Sequence, residues 1–310
     1  MRAEFADELR HLAAEDESIA LLTGDLGFAV LEPFAHEHPE RFFNVGVAEQ
    51  NMLGIAAGMA EAGYRPFAYS IATFASMRGY EFLRNGAILH ELPVRLVGMG
   101  GGMDYGHNGV THYALEDVAI MRVQPSMTIV APADADQARA ALRQAHDLVD
   151  GPVYFRLCKT GSAVPGLEGR FRLGRLEQLG SGEDVALIAL GEMAATAVRS
   201  GELLREQGIE STVAVVSSLN PSPNGDLAEL LSRVSLAMTI ESHYINGGIG
   251  SLVAEVIAEH GLGARLIRRG VREMPRGVTG TPAYLYERCG LNAEAIAHAA
   301  SGALDVVAKP

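Results

Sequence analysis

The feature that most constrains the fold is a repeated alternation along the chain: a short apolar run, a glycine or other turn residue, then an amphipathic stretch. The apolar runs fall at 18–22 (SIALL), 64–70, 92–99, 127–132, 152–157, 184–190, 211–217, 236–242 and 264–270. Runs this short, bounded by turn residues, read as strands buried on both faces. Between them, residues 3–15, 47–62, 75–90, 135–148, 191–207, 251–260 and 291–300 carry helical spacing, and Asp134 stands where it would cap the 135–148 helix. Strands alternating with helices predict an α/β fold with a mostly parallel sheet covered on both faces. The alternation lapses over 160–183, a stretch with Gly, Pro and Ser, and then restarts. The expectation is two doubly wound domains, 1–160 and 183–310, joined by a linker at 161–182.

Composition removes several function classes. Two cysteines, Cys158 and Cys289, exclude a disulfide framework or a four-cysteine metal site within one chain. A net charge of −13 offers no basic field for nucleic acid. The acidic N-terminus lacks the apolar centre of a signal peptide, and no apolar run is long enough to span a membrane, so a cytoplasmic location is expected. The glycine turn GMGGG at 98–102 fails the dinucleotide fingerprint because Met103 replaces its last glycine. No P-loop and no nucleophile-elbow motif occurs.

Two regions concentrate polar groups in apolar surroundings. Glu49, Gln50 and Asn51 open a helix otherwise built of Gly, Ala and Met. The helix dipole accounts for an acid in its first turn, but not for the small, apolar setting. The loop 98–117 holds Asp104, His107, Asn108, Thr111 and His112 after a strand, where ligands of open α/β sheets sit.

With these segments in hand, TGDLG (23–27), FFNVGVAEQNMLGIAAGMA (42–60), ATFASMRGYEFLRN (72–85), GHNGVTHYALED (106–117) and VAPADADQ (130–137) together resemble the pyrimidine-binding domain of the thiamine-diphosphate transketolases. ESHYINGGIGS (241–251) resembles their C-terminal domain. No Gly-Asp-Gly motif for diphosphate is found, so the resemblance implies the C-terminal subunit of a split transketolase. It further implies thiamine diphosphate and Mg2+ as cofactors, with diphosphate and metal bound mainly by a partner N-terminal subunit in an α2β2 assembly. By the same resemblance Glu49 would promote the imino form of the aminopyrimidine. Phe74, Met77, Tyr80 and Asp25 would contact the cofactor, with Met77 standing where the family has an aromatic. His112 would donate to the substrate oxygen or shuttle a proton, with His107 beside it.

The departures concern the sugar. The family has Asp where Asn108 stands, His where Gly100 stands and Arg where Ala131 stands. Arg156 and Lys159 are the expected replacement phosphate contacts, and Arg78 and Arg84 read as helix-surface charges. The implied reaction moves a two-carbon ketol group from a ketose or its phosphate to an aldose or related acceptor. One alternative is a subunit like the E1β chains of 2-oxo acid dehydrogenases, passing a glycolyl unit to a lipoyl or carrier-protein thiol. The other is a non-catalytic scaffold.

Overall fold

The first half runs α1 (Arg2–Glu15), β1 (Ile19–Thr23), α2 (Glu32–Glu37), β2 (Phe42–Asn44), α3 (Glu49–Glu61), β3 (Arg65–Ile71), α4 (Ala72–Met77), α5 (Tyr80–Phe82), β4 (Arg95–Met99), α6 (Asp117–Arg122), β5 (Thr128–Val130), α7 (Ala135–Leu148) and β6 (Val153–Leu157). The second runs β7 (Leu176–Leu179), β8 (Val185–Leu190), α8 (Ala194–Arg205), β9 (Ser211–Val216), β10 (Ser218–Asn220), α9 (Asn224–Arg233), β11 (Leu236–Tyr244), α10 (Ile249–His260), β12 (Arg265–Val271), α11 (Pro282–Arg288) and α12 (Ala293–Val307). The structure is a computed structural model that describes residues 1–159 and 161–307.

Two sheets result, one of seven strands in the order β10-β5-β6-β4-β3-β1-β2 and one of five in the order β12-β11-β8-β9-β7. All pairings are parallel except those of the edge strands β10 and β7. Every residue of β1, β4, β6 and β8 is buried, which is why they read as mostly apolar runs. The two doubly wound domains expected from the sequence are therefore present.

Strand order positions the sites. The chain leaves β1 toward β2 and leaves β3 in the opposite direction, toward β4, so a crevice opens beyond the carboxyl ends of β1 and β3. The second sheet has the same reversal between β8 and β11.

The halves interlock more than the expected boundaries allow. The stretch read as a linker contains β7, which pairs antiparallel with β9. Strand β10 belongs to the second half in sequence but joins the first sheet, with Ser218 opposite Val130. One apolar cluster runs from Leu22, Met52 and Leu96 to Ile188, Leu219 and Val253, so the core is continuous across the halves. The expected helix at 75–90 is broken at Gly79 into α4, α5 and a π-helical turn Leu83–Ile88. An added Cβ at Gly79 would lie 2.5 Å from the Leu53 side chain, so this joint can press directly on α3. The final residues of the second domain, 308–310, lie outside the described residues.

Candidate active site

Glu49 is the first residue of α3 and lies at the β1/β3 crevice, 2% exposed. Gly24, after β1, borders it: an added Cβ there would stand 3.6 Å from Glu49 Oε1. Ser70 Oγ, on β3, donates to Oε1 at 3.0 Å. Arg78 Nη1 donates to Oε2 at 3.0 Å. Burying a carboxyl group is costly unless its oxygens are hydrogen-bonded, and these two donors satisfy them. Arg78 is thus no free surface charge, although 44% of its side chain is exposed. Its guanidinium also lies 3.8 Å from the Phe74 ring centroid, on the ring's face.

Phe74 sits on α4 and meets the His112 ring edge-on, at 5.1 Å between centroids. Thr111 Oγ1 lies 3.0 Å from His112 Nδ1. A hydroxyl donated to that nitrogen leaves the ring proton on Nε2. The histidine is held by a loop pinned at both ends. Gly102 and Ala114 bridge antiparallel, and Gly109 at φ 83° makes the turn that a side chain would strain. The second domain clamps the loop, since Tyr113 Oη donates to the Val278 carbonyl at 2.9 Å and Gly280 N donates to the Gly106 carbonyl.

Met77 is 46% exposed and lines a cavity of about 300 Å³ with Thr111, Glu116, Tyr244 and Met274. Burial, with Asp117 adding to it, pushes the Glu116 carboxyl above its ordinary range. Tyr80 faces elsewhere than the ring stack: its hydroxyl donates to the Ile120 carbonyl and accepts from Gln124 Nε2, tying α5 to α6. Asp25 is exposed at φ 59° beyond β1, where it exchanges hydrogen bonds with the Asn44 amide. His107 and Asn108 are exposed on the loop.

The expected phosphate contacts separate. Lys159 Nζ lies 3.4 Å from the Tyr105 ring centroid, and its backbone N–H donates to Asp104. Arg156 is not available to a ligand. Its side chain is wholly buried, donating to Asp117 Oδ2 at 2.9 Å, to Glu192 at 2.9 Å and 3.1 Å, and to the Ser242 carbonyl at 2.9 Å. Burial opposes its charge, but Asp117 and Glu192 outweigh that and hold it protonated. The sequence carries a signal for this: a charge inside the apolar run PVYFRL needs a buried partner. Sequence reasoning does not reach Tyr105. It fills the space beside Gly100, where an added Cβ would lie 2.2 Å from the ring, so a histidine cannot occupy that position here.

The arrangement fits one end of a thiamine cofactor. Arg78 is a planar N–H donor stacked on Phe74 and bonded to Glu49, which are the two contacts an aminopyrimidine would make. Among the described residues no cluster of His, Cys, Asp or Glu could hold a metal ion, and no helix is long and apolar enough to cross a membrane.

Comparison with known proteins agrees with this geometry. Residues 1–162 match the family model "Transketolase, pyrimidine binding domain" and residues 174–296 match "Transketolase, C-terminal domain". A 6-deoxy-6-sulfo-D-fructose transketolase subunit of Clostridium sp. (strain MSTE9) is 37% identical over 304 residues, covering 97% of this chain and 93% of that one. An apulose-4-phosphate transketolase subunit of Phocaeicola vulgatus is 34% identical over 300 residues, covering 95% and 94%. A solved structure described as a split gene transketolase, inactive beta4 tetramer, superposes with a TM-score of 0.89 at 37% identity over 98% of each chain. The Pichia stipitis transketolase shares the fold at a TM-score of 0.84 and 20% identity, with this chain spanning 46% of it. These relatives do not favour the E1β-like alternative. The chain belongs to the transketolase family, as the C-terminal subunit of a split, two-chain enzyme.

Proposed function

We propose that this chain supplies the pyrimidine-binding half of a thiamine-diphosphate site and that a partner N-terminal subunit supplies diphosphate and Mg2+ binding, in an α2β2 assembly. The observation that carries the reading is Glu49, a carboxylate buried at the crevice and joined through Arg78 to the face of Phe74. Thiamine diphosphate supplies a nucleophilic thiazolium carbon when bound. Glu49 turns Oε2 toward the pyrimidine ring nitrogen, and Ser70 fixes the other oxygen. Phe74 and Met77 give the ring an apolar wall. His112 is held over the cleft with Nε2 available to a substrate oxygen, and Thr111 sets its tautomer. His107 and Asn108 stand at the mouth, where they meet the sugar hydroxyls. Lys159 meets the substrate less directly, over Tyr105. Asp25 stays a weaker cofactor contact from beyond β1.

The partner surface is also suggested. Gly54 and Gly58 are exposed on α3, and Phe82, 44% exposed, lies against Gly54. Val47, 71% exposed, precedes the helix. Such a small-residue face with large apolar neighbours suits a closely packed partner. Two relatives are named for sugars bearing a sulfonate and a phosphate, so the donor class proposed is a ketose with a terminal oxyanion.

The test is reconstitution with the N-terminal subunit. Thiamine diphosphate with Mg2+ is expected to bind the mixture and not this chain alone. Glu49→Gln is expected to lower kcat by about 10²-fold or more, the usual scale for a positioned proton donor. Unaltered turnover in Glu49→Gln would show that the carboxylate has no part in the reaction.

A further inference from the structure

A second cavity, of about 570 Å³, lies between the end of β12 and α11. Arg272, Arg276 and Arg288 line it, with Glu273 as the one acid in its wall and with Met274 and Cys289. Among the described residues none of these three arginines has a carboxylate within ion-pairing distance. Arg288 reaches only the Tyr284 hydroxyl, at 3.4 Å, and Arg272 only the Arg268 carbonyl, at 3.3 Å. In a chain with a net charge of −13, acids are plentiful, yet among the described residues none forms an ion pair with this cluster. The crowding of positive charge reaches Arg269 beneath it, whose proton affinity is lowered by burial and by Arg272.

The cavity adjoins the active site. Met274 lines both this cavity and the smaller one that holds Thr111 and Met77. The segment that follows the arginines is the one that clamps the histidine loop. There Gly280 N donates to the Gly106 carbonyl, and an added Cβ at Gly109 would touch the Thr279 methyl at 3.4 Å. Meanwhile two first-domain positions expected to meet the far end of a sugar are closed to it. Ala131 is small and buried, and Arg156 is sealed.

We infer that Arg272, Arg276 and Arg288 form the subsite for the terminal oxyanion, phosphate or sulfonate, of the sugar substrate. Guanidinium forks match a tetrahedral oxyanion in geometry and charge, and the net charge of the three with Glu273 is that of a dianion's complement. The volume suits a sugar phosphate. The inference rests on the transketolase reading of the active site.

The test uses Arg276→Ser/Arg288→Ser in the full chain. First, inorganic phosphate and a ketose phosphate are titrated into the chain alone, followed by calorimetry or NMR. Saturable binding that weakens about tenfold or more in the variant is expected, the scale of losing charge-assisted hydrogen bonds. Second, in the reconstituted pair, the ratio of kcat/KM for a ketose phosphate to that for the unphosphorylated ketose is expected to fall about tenfold. Equal binding by both chains, or an unchanged ratio, overturns the subsite. So does a variant that loses assembly with its partner while the ratio holds, which would place the arginines in the subunit interface. A wild-type pair that turns over no ketose at all, with phosphate titration intact, would instead overturn the reaction proposed above.

Discussion

Arg78 shows how a single side chain can complete a site that its own sequence context conceals. On a helix, an arginine flanked by Met77 and Gly79 looks like any solvated charge. Its role follows from tertiary geometry alone, because only the approach of α4 to α3 brings its guanidinium to Glu49 Oε2 and over Phe74. Under the proposed reading, those two contacts are the ones a pyrimidine ring would take over. Arg78 is therefore a competitor for the site it completes. The pair is partly exposed, and such pairs contribute up to about 1 kcal/mol. Arg78→Ala is expected to tighten thiamine-diphosphate binding to the reconstituted pair roughly two- to fivefold. Weaker binding in calorimetric titration would mean that the guanidinium supports the cofactor and does not stand in its place. The polar, glycine-rich settings of Glu49 and His112 make both stand out in the sequence as candidates for the proposed site. The roles of Arg78 and Tyr105 are not legible there, and for Arg156 the apolar run signals a buried partner without naming it, since each depends on a neighbour distant in sequence.

Among the elements, legibility follows length and burial. The fully buried strands β1, β4, β6 and β8 are mostly apolar, with Arg95 and Arg156 as buried exceptions, and α7 spans 135–148 as its spacing and Asp134 predict. Strands β2, β7 and β10 escape a reading of the sequence because each is a sheet edge of three or four residues, too short to show a period. The stretch 75–90 reads as one helix because its apolar spacing continues through Gly79, where the backbone changes. The family motif at 130–137 also has a plain structural use. Asp134 accepts from Gln137 N at 2.9 Å as the cap of α7 and from Val164 N at 3.0 Å in the crossing segment. Gln137 in turn accepts from the Ser217 hydroxyl and from Ala133 N. Asp134→Ala removes the cap and leaves a buried N–H unpaired, so a loss of about 2–3 kcal/mol is expected in denaturant unfolding. Asp134→Asn should recover part of it. A change below about 0.5 kcal/mol in Asp134→Ala would place both bonds among the dispensable ones.

At the scale of the whole molecule, the second domain makes its contribution by being filled. A doubly wound sheet ordinarily takes a ligand where its strand order reverses. In the second sheet that place lies at the carboxyl ends of β8 and β11, where Glu192 and Ser242 stand. The guanidinium of Arg156, from β6 of the first sheet, occupies it. Tyr154 donates to the same Asp117 carboxylate that Arg156 uses, so the cluster ties α6, β6, β8 and β11 into one buried unit. Next to it, Glu241 accepts from the first N–H groups of α10, and burial outweighs those bonds to push its carboxyl up to about 7. The second domain's own crevice is thereby closed, and its loop at 278–280 is left to brace the histidines of the first. Removing one member of a buried ion cluster strands the others without a partner, at a cost of roughly 3–5 kcal/mol. Arg156→Ala is expected to lose that much in urea unfolding and to split a single transition into two, one for each domain. Arg156→Met, paired with Asp117→Asn and Glu192→Gln, should regain most of the stability because no charge is left buried. In that triple variant the KM values for phosphorylated and unphosphorylated ketoses should shift together. A selective rise for the phosphorylated one would return Arg156 to the role of a phosphate contact.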